Sequence, residues 1–187
     1  ELDTDFVLSK SNIIKLSNSN AIHPKSIEKR ERIDLSDKNS YLFKSWNSDN
    51  SPILPMIQIE QGKDGSTKLW LHTNNVAERV ELNSKKSLEI FFNDFESLPL
   101  LKNWHNYLSK DIRNAAEFNV GEKNEAISIC LHLNSDNEVT EWSFHLTLVR
   151  CSLIVGSAHT DALLSRKSKT RITSRLLKPI KEFIEDI

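Results

Sequence analysis

Cysteine is scarce in this 187-residue chain, and Cys130 and Cys151 stand too far apart for a C-x-x-C metal or redox motif. Both fall in strand-like apolar runs, so the expectation is two reduced, buried thiols that act as small hydrophobes. An excess of either charge is missing too: 25 Lys and Arg against 26 Asp and Glu leave a net charge of −1. Global charge therefore carries no nucleic-acid signature, and any such role needs a local patch. No apolar run approaches the roughly 20 residues that cross a bilayer, and no secretory h-region is present, which excludes a membrane partner on this reading. The first residue is Glu1 and not Met, which leaves room for a leader removed earlier. The expected compartment is the cytoplasm, with an organelle as the alternative. Glycine is rare as well, and two of the four, Gly62 and Gly65, share one turn.

What is present suits one soluble globular domain, with 38% hydrophobic and 27% charged residues and enough length to bury a core. Ile57 and Ile59 alternate with Gln58 and Glu60, a turn follows at Gly62 to Gly65, and Leu69 and Leu71 resume the alternation. That period of two predicts a β-hairpin over 56–80, with glycines free to take positive φ in its turn. A second hairpin is expected over 126–148, where Ile127, Ile129 and Leu131 lead to the turn Asn134 to Asn137, and Val139, Trp142, Phe144, Leu146 and Leu148 return. Two hairpins imply an antiparallel sheet in an α+β fold with flanking helices.

The rest of the chain is read around them. Residues 1–32 are a polar lead-in with short helices and a turn at Pro24. Leu42 and Phe43 suggest a short strand, and Pro52 and Pro55 make the approach to the first hairpin irregular by removing two backbone donors. Leu98, Leu100, Leu101, Trp104, Tyr107 and Leu108 recur at intervals near three and four, which predicts a buried helix stripe. Gly121 marks the break before the second hairpin. After Leu153 the chain is expected to turn helical, ending in an amphipathic piece of Leu176, Leu177, Ile180, Phe183 and Ile184. The division is a lead-in at 1–32, a core at 33–164, and a basic segment with a C-terminal helix at 165–187.

The run Met56-Ile-Gln-Ile-Glu60, a glycine turn, Leu69-Trp-Leu-His72-Thr-Asn-Asn75-Val76, then Ala126-Ile-Ser-Ile-Cys-Leu-His-Leu-Asn134 with Asn137-Glu-Val139, resembles the first half of the RNB catalytic domain of the ribonuclease II/R superfamily. Arg30-Glu-Arg-Ile-Asp34-Leu35 upstream and Leu148-Val-Arg-Cys-Ser-Leu153 downstream keep the family order. The resemblance implies an RNB-like half-domain, and for active members it implies 3′-to-5′ cleavage of RNA assisted by Mg²⁺ held on clustered aspartates. Laying the family's strand on Met56 to Glu60 puts Trp46, Pro52, Leu54 and Pro55 at its four acidic positions. None is a ligand for a hard cation. The conclusion is independent of register, because Asp49 is the only acidic residue between Asp37 and Glu60. Asn75 stands where the family's His-Ile-Ala-Asp segment ends in aspartate. The implied assignments are therefore no catalytic residue, no metal ligand, no cofactor unless Mg²⁺ serves an active form, and a catalytically inactive module that binds RNA or scaffolds a protein partner.

Arg166, Lys167, Lys169, Arg171 and Arg175 form the strongest basic concentration, and they are the candidates for RNA backbone contacts. A solvated helix face is the competing reading, and the absence of interleaved aromatics weakens single-strand stacking. Three rival functions remain. One is an active exoribonuclease with relocated ligands. Another is a phosphoesterase built on the His-x-Thr element His145-Leu-Thr147 with His72 as its pair, although His72-Thr73-Asn74 breaks that motif. The last is a structural subunit of a larger assembly. A zinc set of Cys130, His132, His145 and Cys151 is conceivable only if strand geometry gathers them.

Overall fold

The computed structural model describes residues 21–44, 52–62, 65–92, 97–100, 103–106, 109–156 and 178. In chain order the elements are β1 (Ile33–Asp34), β2 (Ser40–Phe43), β3 (Met56–Gln61), β4 (Thr67–Asn74), a 3-10 turn (Ala77–Arg79), α1 (Lys85–Phe92), β5 (Ser97–Leu100), β6 (Asn103–Asn106), α2 (Lys110–Ala116), β7 (Lys123–Leu133) and β8 (Val139–Val155). Strand therefore outweighs helix among the described residues.

The main sheet has six strands in the order β1-β8-β2-β3-β4-β7, and β7 also pairs with β8. β3 lies antiparallel to β4, β4 to β7, and β7 to β8. Two short turns make those local pairings possible. Gly65 takes φ of 82° between β3 and β4, where the Gly62 N–H donates to the Ser66 carbonyl at 2.7 Å. Between β7 and β8, the Asn134 Oδ1 accepts the N–H groups of Asp136 and Glu138, and Asn137 adopts φ of 60°, as Asn tolerates.

The sheet is mixed, not antiparallel throughout. β8 is 17 residues long, runs on past Leu148 to Val155, and pairs in parallel with β1 and β2. Its first part pairs with β7 and its last part with β2, so the strands β2, β3, β4, β7 and β8 close into a ring. Local alternation cannot reveal such a closure, because the residues of β2 and β8 that meet lie more than a hundred positions apart.

A second correction concerns 97–106. The expected helix stripe is instead a two-stranded antiparallel ribbon of β5 and β6, with Leu98 opposite His105 and Pro99 opposite Trp104. Pro99 explains it, since a proline inside a helix removes a backbone donor and clashes with the preceding turn. Trp104 is only half-buried, and Leu101, Tyr107 and Leu108 lie outside the described residues. The lead-in, over its described part 21–32, contains no helix; it is tied down through an isolated bridge from Ile22 to Val80. Residues 1–20 and 157–187, apart from a helical Lys178, also lie outside the described part.

Closure dictates the interior. Cross-strand partners share a face, and the row Met56, His72, Ser128, His145 crosses β3, β4, β7 and β8 in register. Beside it lie Ser40, Gln58, Ala126, Thr147 and Val149, all at 0% exposure, with Trp70, Cys130 and Cys151 nearly so. A ring of five strands is narrow, and side chains as small as Ser, Thr and Ala fit its inside. Their hydroxyls need partners once water is gone. Ser40 Oγ donates to Gln58 Oε1 at 3.2 Å, and the hydroxyls of Ser128 and Thr147 share a bond of 2.6 Å. His72 Nδ1 lies 2.7 Å from Ser128 Oγ, while its Nε2 meets no partner. Burial lowers the His72 pKa from 6.5 to about 4, so the imidazole is neutral at physiological pH.

Above pH 6.5 His72 is neutral in folded and unfolded chains alike and does not affect stability. Below it the unfolded chain takes up a proton that the core refuses until about pH 4, so stability falls across this window by roughly 3 kcal/mol. Urea denaturation at pH 7 and pH 4 should show that loss in the native protein and a shallower one in His72→Gln.

Candidate functional site

The family positions singled out in the sequence converge on one end of the sheet, where the chain approaches β3, leaves β4 at Asn74, and enters β7. Pro52, Ile53, Leu54 and Pro55 are half-buried and lead directly into Met56, whereas Trp46 lies outside the described residues. The two prolines stay outside the ladder, as their missing N–H groups require. The carboxylate on β3 itself is Glu60, four residues beyond Met56 and so about 13 Å along the strand. It is already engaged, accepting a hydrogen bond from Gln58 Nε2 at 2.7 Å. This end of β3 thus presents alkyl and pyrrolidine groups.

Asn75 follows β4 and is 1% exposed, with its backbone N–H donating to the Glu125 carbonyl at 3.0 Å. Its carboxamide lies against Glu78 but finds no partner at hydrogen-bond geometry. An uncharged amide is tolerable in so dry a place; an aspartate there would be a buried charge.

Around Asn75 the described structure assembles a network that local sequence did not announce. Arg32, with a side chain only 6% exposed, forms an ion pair with Glu78 and a longer one with Glu125 at 3.8 Å. It also donates to Ser26 Oγ at 2.9 Å. Ser26 answers through its N–H to Glu125 Oε2 at 2.7 Å and its hydroxyl toward Glu78 and Glu125. Burial tends to raise the Glu78 pKa, but Ser26, Asn75 and the Arg32 and Arg30 charges together hold it below its ordinary value. Arg79, itself nearly buried, has its pKa lowered by that burial and donates to the Ala115 carbonyl. The Arg32 guanidinium is taken up by internal partners, and that of Arg79 is buried. They fasten the lead-in across the sheet and leave little to offer a phosphate. The one hint in the sequence was the Arg30-to-Leu35 segment; its partners lie 46 and 99 positions away from Arg32 and Ser26.

The two histidines of the rival phosphoesterase reading do share a row, separated by Ser128. His72 is sealed and its ring stacks near Trp70 at 6.2 Å, so it cannot reach a phosphodiester as an acid or base. His145 is half-buried, with Nε2 2.8 Å from Ser143 Oγ and its ring tilted against Trp70. Cys130 and Cys151 are free, buried thiols whose pKa values burial raises. Among the described residues no three His, Cys, Asp or Glu side chains gather as a metal ion would require, so the imagined zinc set is not assembled. The basic candidates Arg166, Lys167, Lys169, Arg171 and Arg175 lie outside the described residues. Among described residues, no helix is long and apolar enough to cross a membrane.

Comparison with known proteins gives a consistent picture. A family model described as "RNB domain" matches residues 32–185. No curated protein matches the sequence. Among solved structures, yeast Ssd1, described as a pseudonuclease, superposes with a TM-score of 0.61 at 16% identity over 77% of this chain and 18% of that one. Mycoplasma genitalium RNase R in complex with ribose-methylated single-stranded RNA gives a TM-score of 0.65 at 16% identity over 81% of this chain and 25% of that one. An active-site mutant of the Dss1 exoribonuclease from Candida glabrata gives 0.58 at 17% identity over 83% and 22%. At such identities the likeness is one of fold, and the chain spans at most a quarter of the length of these three.

The Arg32–Glu78 pair supplies a direct test of the network. Glu78→Ala strands a buried guanidinium with Glu125 as its remaining acidic partner, and should lower stability by about 3 kcal/mol. Denaturant titration will read that loss, and a change below about 1 kcal/mol would show that the knot is relaxed in solution.

Proposed function

The chain belongs to the RNB domain family, and on that footing we propose that it is a catalytically silent RNB module which holds RNA through its phosphate backbone without cutting it. The observation that carries this reading is the approach to β3, where Pro52, Leu54 and Pro55 stand in place of the carboxylates that metal-assisted cleavage needs. One acidic residue, Asp49, between Asp37 and Glu60 is too little charge to hold divalent cations there, whatever the register. The amide of Asn75 removes a further negative charge at the same end.

RNA is the ligand favoured by charge. Arg166, Lys167, Lys169, Arg171 and Arg175 concentrate five positive charges in ten residues of a chain whose total charge is nearly balanced. Guanidinium and ammonium groups in such a run bind phosphates without reading bases. The RNase R neighbour was solved with single-stranded RNA, which supports the same ligand class for this fold. Protein scaffolding is the second reading, favoured by the exposed aromatics of β8.

The test has two arms. Labelled single-stranded RNA incubated with Mg²⁺ or Mn²⁺ should keep its length; metal-dependent 3′-to-5′ shortening would overturn the silent reading. In binding titrations, replacing the five basic residues by Ala should weaken affinity for every sequence alike. It should also flatten the salt dependence by roughly 0.7 in log–log slope for each phosphate that is no longer neutralised. An unchanged slope would remove this segment from the RNA interface.

A further inference from the structure

Among the described residues, the closed ring leaves one long stretch of strand edge unpaired. β8 pairs along one side with β7 from Val139 to Arg150, while its other side is taken by β1 only from Thr147 and by β2 only from Cys151. Between Val139 and Leu146, eight residues or about 27 Å of strand, nothing among the described residues pairs along that second side. Along that side the backbone N–H and C=O groups have no ladder partner among the described residues. Native sheets normally blunt such an edge, because it is a template for another strand.

The side chains beside the open edge do the reverse of blunting. Trp142 and Phe144 are 61% and 62% exposed and meet edge to face at 5.5 Å, with Val139 exposed at the near end. Behind them on the same outer face run Leu131 and Leu69, and Ile129 and Leu71, opposite Trp142 and Phe144 in register. The charge of the strip is single-signed. Asp136, Glu138 and Glu141 are exposed, and no Lys or Arg occurs from residue 134 to 146.

We propose that the open edge of β8 from Val139 to Leu146, with Trp142 and Phe144 beside it, is a docking strip for an extended polypeptide of alternating apolar and basic residues, which adds to the sheet as a further strand. Backbone pairing supplies the affinity, the aromatic pair supplies pockets for alternate side chains, and the carboxylates select basic residues. The same carboxylates repel phosphate, which sets this surface apart from RNA binding. They also disfavour a second copy of this chain, whose own acidic strip would have to approach. The inference is independent of the RNA reading.

The probe is an acetylated ten-residue peptide alternating Lys and Val, used with the full chain. A peptide of identical composition with its five lysines and five valines in separate blocks serves as control. The alternating peptide should bind saturably and at least tenfold more tightly than the block peptide, and should slow hydrogen exchange of outward-facing amides between 139 and 146. Trp142→Ser with Phe144→Ser should weaken binding at least tenfold without moving the melting temperature. Should that variant fold poorly, Glu138→Lys with Glu141→Lys leaves the strand intact and should abolish the preference for the basic peptide. Equal affinity for the two peptides would reduce the effect to charge attraction and overturn the proposal. So would protection of these amides by single-stranded RNA in place of peptide, or self-association of the chain that the Trp142 and Phe144 substitutions abolish.

Discussion

Closure of the sheet through β8 is the constraint on which the rest of the structure depends. One strand of 17 residues pairs with β7 along its first two thirds and with β2 at its end, and the ring that results has a small inside. Everything on the inner face must fit that width. Small side chains such as Ser40, Ser128, Thr147 and Ala126 stand beside the larger Met56, Trp70 and His72, and the hydroxyls they bring must find partners. The interior is consequently polar for a core. Its stability depends on hydrogen bonds made in a dry environment, where each missing partner costs more than at a surface.

The end of the ring near β3 shows a strand entry built without a cluster of acidic side chains. A cluster of carboxylates is electrostatically expensive, since each must be separated from its neighbours or neutralised by an ion. Pro52, Leu54 and Pro55 carry no such repulsion, and the strand starts at Met56 directly after them. Charge survives close by in another form. Arg32 pairs with Glu78 and Glu125, and Ser26 bridges the two carboxylates, which turns polar side chains to fastening the lead-in. Fold and chemistry are separable because a ladder is made by backbone, whereas a site is made by side chains that the ladder does not require.

How much of this was legible depended on distance along the chain. Alternation at Ile57, Ile59, Leu69 and Leu71, and again from Ile127 to Leu148, marked the strands that the structure contains, because a strand's two faces print themselves at a period of two. The stripe at Leu98 to Leu108 misled for a related reason. Two short antiparallel strands can place apolar residues at intervals that mimic a helix, and Pro99 was the residue that argued otherwise. The Arg32 knot had little local signal beyond the Arg30-to-Leu35 segment, since Glu78 and Glu125 lie far along the chain.

By itself the sequence determined the absences and the local periods: no charge excess, no cluster of carboxylates ahead of β3, thiols too far apart for a C-x-x-C motif, and turns where Gly65 and Asn137 permit positive φ. Those are properties of composition and of neighbouring residues, and no fold can alter them. Tertiary structure alone decided that β8 would run parallel to β2, that His72 would be sealed and neutral, and that Trp142 and Phe144 would stand beside an open edge. Each of these follows from which distant backbone groups find one another, and that choice is made by burial of the whole sheet.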